Sequence, residues 1–367
     1  MRKKTNKIQN ISESILKKRW NKFKTLKRAY YSFLFLVGVY ILSFLSPLLV
    51  NNKALVVWYN KKLHFPAFGD LGYPYVKIFS TYHSAEYFGQ LKFGEADYRR
   101  LNEQFKQNSD NHWLIMPLYS YHPNENLLDE EEGKLLTRPD MKHWFGTDNR
   151  GRDVFARLVY GFNISITFAL FITFFGYIIG VIIGSLQGFF GGRFDIYCQR
   201  FIEIFSSLPF LYIIMIAVSI VRPSFYLLAV LMVVLASWIG ISYYLRSEFY
   251  REKAKDYVAA AISMGASYSR VMFRHILPNS ITPIITFAPF SVITGIYSLV
   301  ALDYLGFGLA PPTPSWGELA RQGVEDIRYW WLIVSPIIAI FTSLLTVSFI
   351  GEGVREAFDP KVFSRLR

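Results

Sequence analysis

Residues 164–188 read "ISITFALFITFFGYIIGVIIGSLQG" and contain no charged side chain. A helix needs about 20 apolar residues to cross roughly 30 Å of hydrocarbon, so this stretch alone predicts a transmembrane span. Five other runs meet the same requirement, at about 30–50, 201–221, 225–245, 281–302 and 331–350. The first of these is too long for a cleaved signal peptide and lacks a small-residue cleavage pattern. The composition agrees. Of the 367 residues, 52% are hydrophobic, 18% aromatic and 18% charged, whereas a soluble domain carries about a quarter charged residues. The mean hydropathy of +0.24 is modest, which leaves room for a sizeable polar portion between spans. The expected fold class is an all-α polytopic membrane protein with six transmembrane helices and a small mixed, mostly β extracytoplasmic insertion.

A net charge of +13 suits nucleic-acid binding in principle, but its distribution argues for a lipid bilayer as the partner and against nucleic acid. Residues 1–28 hold eleven Lys or Arg against Glu13 alone, directly before the first span, which marks a cytoplasmic N-terminus. Six crossings return the C-terminus to the same side. The segments then placed in the cytoplasm are basic. The loop 246–280 carries Arg246, Arg251, Lys253, Lys255, Arg270 and Arg274 against three acids, and the tail carries Arg355, Lys361, Arg365 and Arg367. The opposite loop, 303–330, has only Arg321 and Arg328 against four acids. The expected division is therefore a basic cytoplasmic N-terminus (1–29), a first transmembrane helix (30–50) and an extracytoplasmic insertion (51–144). A core with five spans (145–350), including the cytoplasmic loop 246–280, and a cytoplasmic tail (351–367) complete it. Residues 51–163 are placed outside as a whole.

The insertion opens with "ALVVWYNKKLHFPAF" (54–68), two β-prone stretches around an Asn60-Lys61 turn, which reads as a hairpin. Aromatic, turn-rich sequence and an acidic patch, Asp129–Glu132, follow. This describes either a small folded domain or an irregular aromatic lid on the membrane surface. Elsewhere, the motifs of enzymes are missing. No G-x-x-x-x-G-K-S/T, H-E-x-x-H or G-x-S-x-G occurs. The histidines at 64, 83, 112, 122, 143 and 275 lack metal-ligand spacing, and the lone Cys198 excludes an internal disulfide framework. Spans two, four, five and six hold no ionisable residue well inside, which argues against a proton-coupled pump. No catalytic residue, metal or bound cofactor is expected in this chain.

The loop "DYVAAAISMGASYSRVMFRHILPN" (256–279) is long for a connector. Its first part, about 255–264, is a good helix former, and Gly265 suits a left-handed cap. Ser267 is placed to cap a second helix running to Pro278. On the first helix Ala261, Met264 and Gly265 share a face with Tyr257 close by. Small residues permit close backbone approach, and Met and Tyr supply adaptable apolar contact. Such a patch reads as a docking surface for another chain, or as a helix lying flat under the membrane.

Ala260, Ala261, Gly265 and then Leu277-Pro278 fall at the spacing of the loop through which permease subunits of ATP-binding-cassette importers engage their ATPases, and the chain resembles that family. Ala259 stands where the family has Glu, a departure that touches one polar contact but not the small-residue face. Three further blocks resemble dipeptide and oligopeptide permeases: "FGTDNRGRDVFARLVYGFNIS" (145–165), "GFFGGRFDIYCQRFIEIFSSLP" (188–209) and "LDYLGFGLAPPTPSWGELARQG" (302–323). The insertion and the ending "IGEGVREAFDP" (350–360) resemble most the microcin C and oligopeptide subgroup. The resemblance implies an inner-membrane subunit of a bacterial, ATP-driven importer of peptides that forms half of the translocation pathway. It also implies its partners, namely a homologous second permease, two ATPase subunits that bind ATP and Mg, and an extracytoplasmic peptide-binding protein. Importers of nickel or glutathione, and a self-contained channel or scaffold, are the alternatives.

Each block also has a reading of its own. Gly146, Gly151 and the set Asp148, Arg152 and Asp153 suit a salt-bridged turn before span two, with direct contact to substrate or binding protein as the sharper alternative. Arg193 and Asp195 suit closure of the tight turn at 188–195. Pro311, Pro312 and Pro314 stiffen an extended loop, and Trp316 beside them suits a membrane interface or a partner's surface at the outer mouth. Pro209, Pro283, Pro289 and Pro336 can kink their spans, as a pathway that opens alternately requires.

Overall fold

The computed structural model describes residues 15–73, 75, 82–91, 93–107, 111–128 and 134–359. Along the chain come α1 (Ile15–Thr25), α2 (Lys27–Ser43) and a single turn, α3 (Ser46–Leu49). The insertion then contributes β1 (Val56–Tyr59), β2 (Lys62–His64), α4 (Tyr98–Gln107) and β3 (Trp113–Ile115). After it come α5 (Val154–Phe190), α6 (Gly192–Ser207), α7 (Phe210–Ile220), α8 (Phe225–Met232), α9 (Ile239–Lys253) and α10 (Asp256–Ser263). The chain continues with α11 (Tyr268–Arg270), α12 (Ile281–Leu305), α13 (Trp316–Glu325) and α14 (Trp331–Phe358). The acidic patch 129–132 lies outside the described residues.

Among the described residues, four helices are long and apolar enough to cross a membrane: α5, α12, α14, and α8 joined to α9 as one helix, Phe225–Lys253. The third expected span, read as one helix over 201–221, is instead two. α6 and α7 meet at a bend of 66° and together would make a fifth crossing. Pro209 explains the break. Its ring disfavours helical backbone at the preceding residue, and Leu208 sits at φ −68, ψ 119, in the extended region. The first expected span, 30–50, is shorter than the sequence suggested. α2 has 17 residues, about 26 Å at 1.5 Å per residue, and the chain turns at Phe44-Leu45 into α3. It packs along α14.

α5 is the axis of the molecule. Its 37 residues pack most extensively on α9, then on α12. One apolar core lies toward the insertion end, where Val154, Leu158, Trp316, Leu319, Trp331 and Leu332 are buried together. Another lies toward the opposite end around Leu245, Phe249, Val258 and Ile276.

The insertion has a small core of its own, built from Ala54, Val57, Phe88, Tyr98 and Leu101. Its sheet runs β2-β1-β3, antiparallel throughout. The Asn60-Lys61 turn is the one expected, with φ 48 and 61 at its two residues, the paired left-handed conformation that joins tightly twisted hairpins. The strands have only three or four residues each, and α4 equals them in extent, so the domain is mixed.

His122 makes this domain acid-sensitive. It packs against the rings of Tyr73 and Tyr160, and its Nδ1 accepts from the Asn124 N–H at 3.2 Å. Burial, with Lys53 adding to it and Asp70 opposing it, pushes its pKa down to about 4. The unfolded chain takes up a proton near pH 6.5 while the folded one does not, so stability is full above that pH and falls as pH drops toward 4. Thermal unfolding in detergent should show this loss, reaching about 3 kcal/mol at the bottom of the window, and His122→Gln should remove that share, leaving the contributions of His64 and His83, whose pKa values burial also lowers.

Candidate functional site

The loop 256–279 folds as a hairpin at the end of the molecule opposite the insertion. α10 ends where Gly265 takes φ +79, and its N–H bonds Ile262 O at 2.9 Å while Ala266 N–H reaches Ala261 O at 3.1 Å. This is the left-handed cap expected there. Ser267 occupies the cap position of α11, but its side chain makes no capping bond. α11 passes after one turn into a π-helical segment, Val271–Ile276, which closes before Pro278.

The face assigned from the sequence divides in two. Ala261 is buried together with Val258, Val271, Met272 and Ile276 against Leu245 and Phe249 of α9. Val258 and Ala261 are the i, i+3 pair of an eight-residue helix and form its inward stripe. Met264 and Gly265 lie where the chain leaves that helix, and they point away. Met264 is 82% exposed, and Ala259, Ala260, Ile262 and Tyr268 are exposed with it. Leu277 is half-buried against the hairpin core, and Pro278 is exposed. The outward patch is thus small and apolar, with Met264 at its edge. Tyr257 donates to Glu252 Oε2 at 2.9 Å, and Lys255 pairs with Oε1 at 2.6 Å.

The mount of this hairpin is stiff. Asp195, expected to pair with Arg193, instead accepts two bonds from Arg246 of α9, each 2.6 Å, and one from Tyr250 at 2.8 Å. Arg193 is one residue too near the turn and stays exposed. Lys253 Nζ bonds Phe189 O at 2.5 Å, placing a cation at the carbonyl end of α5 where the helix dipole favours it. Along α5, Gly176, Gly180, Gly184 and Gly188 recur every fourth residue; Gly176 faces Ser237 just before α9, and the other three face Trp238 and α9 itself. A Cβ on Gly180 would sit 2.5 Å from Trp238 O, and one on Gly188 would sit 2.6 Å from Arg246 O. Bare glycines therefore let the two backbones touch, as small-xxx-small seams do in membranes. The hairpin, α9 and α5 form one packed unit.

At the insertion end the outer-mouth candidates fare unequally. Asp148, Arg152 and Asp153 are buried. Arg152 Nε bonds Asp148 Oδ2 at 2.8 Å, and its Nη2 reaches Glu318 Oε1 at 3.2 Å. Arg157, fully buried, donates to Glu318 Oε2 at 2.6 Å and to the carbonyls of Pro123, Pro312 and Thr313. Asp153 caps α5 through the Ala156 N–H and accepts from Tyr119. These groups pair with one another, Arg157 Nε alone lacking a hydrogen bond, and they are buried within the subunit, which favours the structural turn over direct contact. The reading of Trp316 is corrected. It is 1% exposed, donates to Leu158 O at 3.1 Å and fills the space left by Gly161. Pro311 and Pro312 alone of the six remain exposed, and Arg222 donates to Pro311 O at 2.8 Å. Sequence reasoning missed Arg157 and Glu318. No pattern links them, since they lie 161 residues apart. It also missed the glycine seam, whose four-residue spacing was there to be read. Among the described residues, no group of three or more His, Cys, Asp or Glu is placed to hold a metal.

Residues 176–364, from the first seam glycine through the hairpin to the end of α14, match the family model for the binding-protein-dependent transport system inner membrane component. The chain belongs to that family. Its members are membrane permeases, and the hairpin and seam lie wholly inside the matched region. A peptidoglycan transport system permease protein YejE of Agrobacterium fabrum is 37% identical over 94% of this chain and 93% of the relative. The inner membrane ABC transporter permease protein YejE of Escherichia coli is 35% identical over 93% of this chain and 96% of that protein. The oligopeptide transport system permease protein OppC of Bacillus subtilis is 32% identical over 68% and 81%. The first two alignments cover more than nine-tenths of this chain and so extend into the insertion.

Proposed function

We propose that this chain is the permease subunit of an ATP-driven, binding-protein-dependent importer of peptides in a bacterial inner membrane, forming half of the translocation pathway. Its partners are a homologous permease, two ATPase subunits that bind ATP and Mg, and an extracytoplasmic peptide-binding protein. Both termini and the hairpin lie in the cytoplasm, and residues 51–163 lie outside. Permease relatives aligned over more than nine-tenths of the chain support the class. The observation that carries the mechanism is the hairpin. An exposed apolar patch around Ala259, Ala260, Met264 and Gly265 is fixed to α9 by a packed core and to α5 and α6 by Lys253 and Arg246. An ATPase that grips the patch moves α9 and α5 together, and α5 runs the full depth of the membrane, so closure of the ATPase pair reaches the outer mouth as a tilt of spans. The chain itself performs no bond chemistry.

Gly265 provides the test. A Cβ there meets nothing within 4 Å, so an added side chain costs the chain only left-handed strain, about 1–2 kcal/mol. Gly265→Ala carries that strain without bulk, whereas Gly265→Arg adds bulk and charge to the patch. In mild-detergent purification, Gly265→Ala should keep the ATPase and Gly265→Arg should lose it along with peptide uptake, both being present in the membrane at wild-type amounts. Normal uptake by Gly265→Arg would remove the coupling assignment.

A further inference from the structure

α2 and α14 are in close contact at one end and part at the other. Near the start of α2 a Cβ on Gly353 would collide with Ala29, and Phe23, Ala29, Ile350 and Ala357 are buried together. Toward the insertion end the two helices border a cavity of about 700 Å³. Its floor is Leu158, Trp316 and Trp331, all buried, and its walls include Phe35, Leu42, Val334 and Ile338, all exposed. We propose that this cleft is a lipid site that holds an acyl chain of a phospholipid from the leaflet at the insertion end.

The chemistry of the wall selects the guest. Six Ser and Thr residues line the cleft; Ser43, Ser335, Ser343 and Thr346 each donate to a carbonyl of their own helix, and Ser46 donates to Ser43 O. Apart from Thr342, these hydroxyls are already bonded, and the wall is predominantly apolar toward what enters. A peptide would leave its amides unbonded there, at a cost no apolar contact offsets. A partner's helix, which bonds its own amides, is the other apolar guest, and cross-linking from Val39→Cys distinguishes it from lipid. A hydrocarbon chain brings no polar group, adapts to an irregular slot, and surrounds both helices wherever they cross the bilayer. Trp144 and Trp330, each about half exposed at the mouth of the cleft, are the amphipathic rings found at headgroup level. The guest would wedge α2 away from α14 and join α2 to the rest of the bundle.

The inference requires only that α2 and α14 lie in a bilayer, and neither readout below depends on transport. After extensive washing in mild detergent, the intact assembly should retain phospholipid in stoichiometric amount, counted by mass spectrometry, and Ala339→Phe, which fills the cleft, should release it. In vesicles of phosphatidylglycerol brominated at mid-chain, the wild-type tryptophan emission should be quenched more than that of Ala339→Phe, because Trp316 and Trp331 form the cleft floor. Equal retention and equal quenching in the two proteins would overturn the site. So would a cross-link from Val39→Cys to a second polypeptide, which would assign the cleft to a partner helix.

Discussion

Gly180→Leu should cost the fold more than about 3 kcal/mol, enough to remove the protein from the folded pool. The glycine lies in the second half of α5, within the seam, and an added Cβ would press on Trp238 O at 2.5 Å as well as on the Ile241 side chain. A flexible neighbour could swing aside, but a backbone carbonyl held in a helix cannot. Relief would require the two helices to separate, and the glycines on either side would then lose their contacts as well. Gly240 is the internal control. It is exposed in α9, and a Cβ there meets nothing within 4 Å. Gly240→Leu should leave stability unchanged or raise it by up to about 1 kcal/mol, through helix propensity. The measurement is the thermal midpoint and monodisperse yield of each variant in detergent. A Gly180→Leu protein as stable as wild type would mean that the α5–α9 seam is not packed as described.

Features that depend on local chemistry were legible in the chain. The apolar runs name the spans because crossing hydrocarbon is a property of one segment, and Gly265 names the hairpin cap because only a residue without Cβ enters that conformation freely. The Asn60-Lys61 hairpin was legible for the same kind of reason. Where the reading failed, the partner lay elsewhere in the sequence. Asp195 looked paired with Arg193 because the two are neighbours, yet Arg246, brought alongside by the packing of α9, takes both carboxylate oxygens. Trp316 looked like a surface ring because prolines precede it. The vacancy beside Gly161, 155 positions earlier, is what draws it inside. The kink at Pro209, by contrast, was legible in the same way as the hairpin cap, and in the structure it amounts to a bend of 66° between α6 and α7. Ala261 was placed on the outward face because helical spacing gives neighbours on a cylinder without saying which way the cylinder is turned. Only the packing of α10 on Phe249 decides that.

Arg157→Met should destabilise by about 3–5 kcal/mol, because it removes one cation from a buried set and leaves the rest unbalanced. The set is neutral as it stands, with Asp148 and Glu318 against Arg152 and Arg157. Taking Arg157 alone leaves Glu318 Oε2 without its donor and the set one negative charge in excess, with Arg152 still on Oε1, in a place with little water to solvate it. It also frees the carbonyls of Pro123, Pro312 and Thr313. Glu318→Gln alone strands a cation instead, and should cost a similar amount. The double variant restores neutrality with Arg152 and Asp148 still paired, so the two losses should not add. Their interaction in the cycle should be about 2 kcal/mol or more in favour of the double variant. It will not return to wild type, since the three carbonyls remain unbonded. Arg200 and Glu203, an exposed pair one helical turn apart in α6, provide the contrast, and removing either should change stability by less than about 1 kcal/mol. If Arg157→Met and the surface variants lost stability equally, the buried charges would be ornamental. If the cycle closes as expected, one guanidinium holds the insertion, the proline loop and α13 to the head of α5, and thereby fixes the outer end of the packed unit whose other end carries the hairpin.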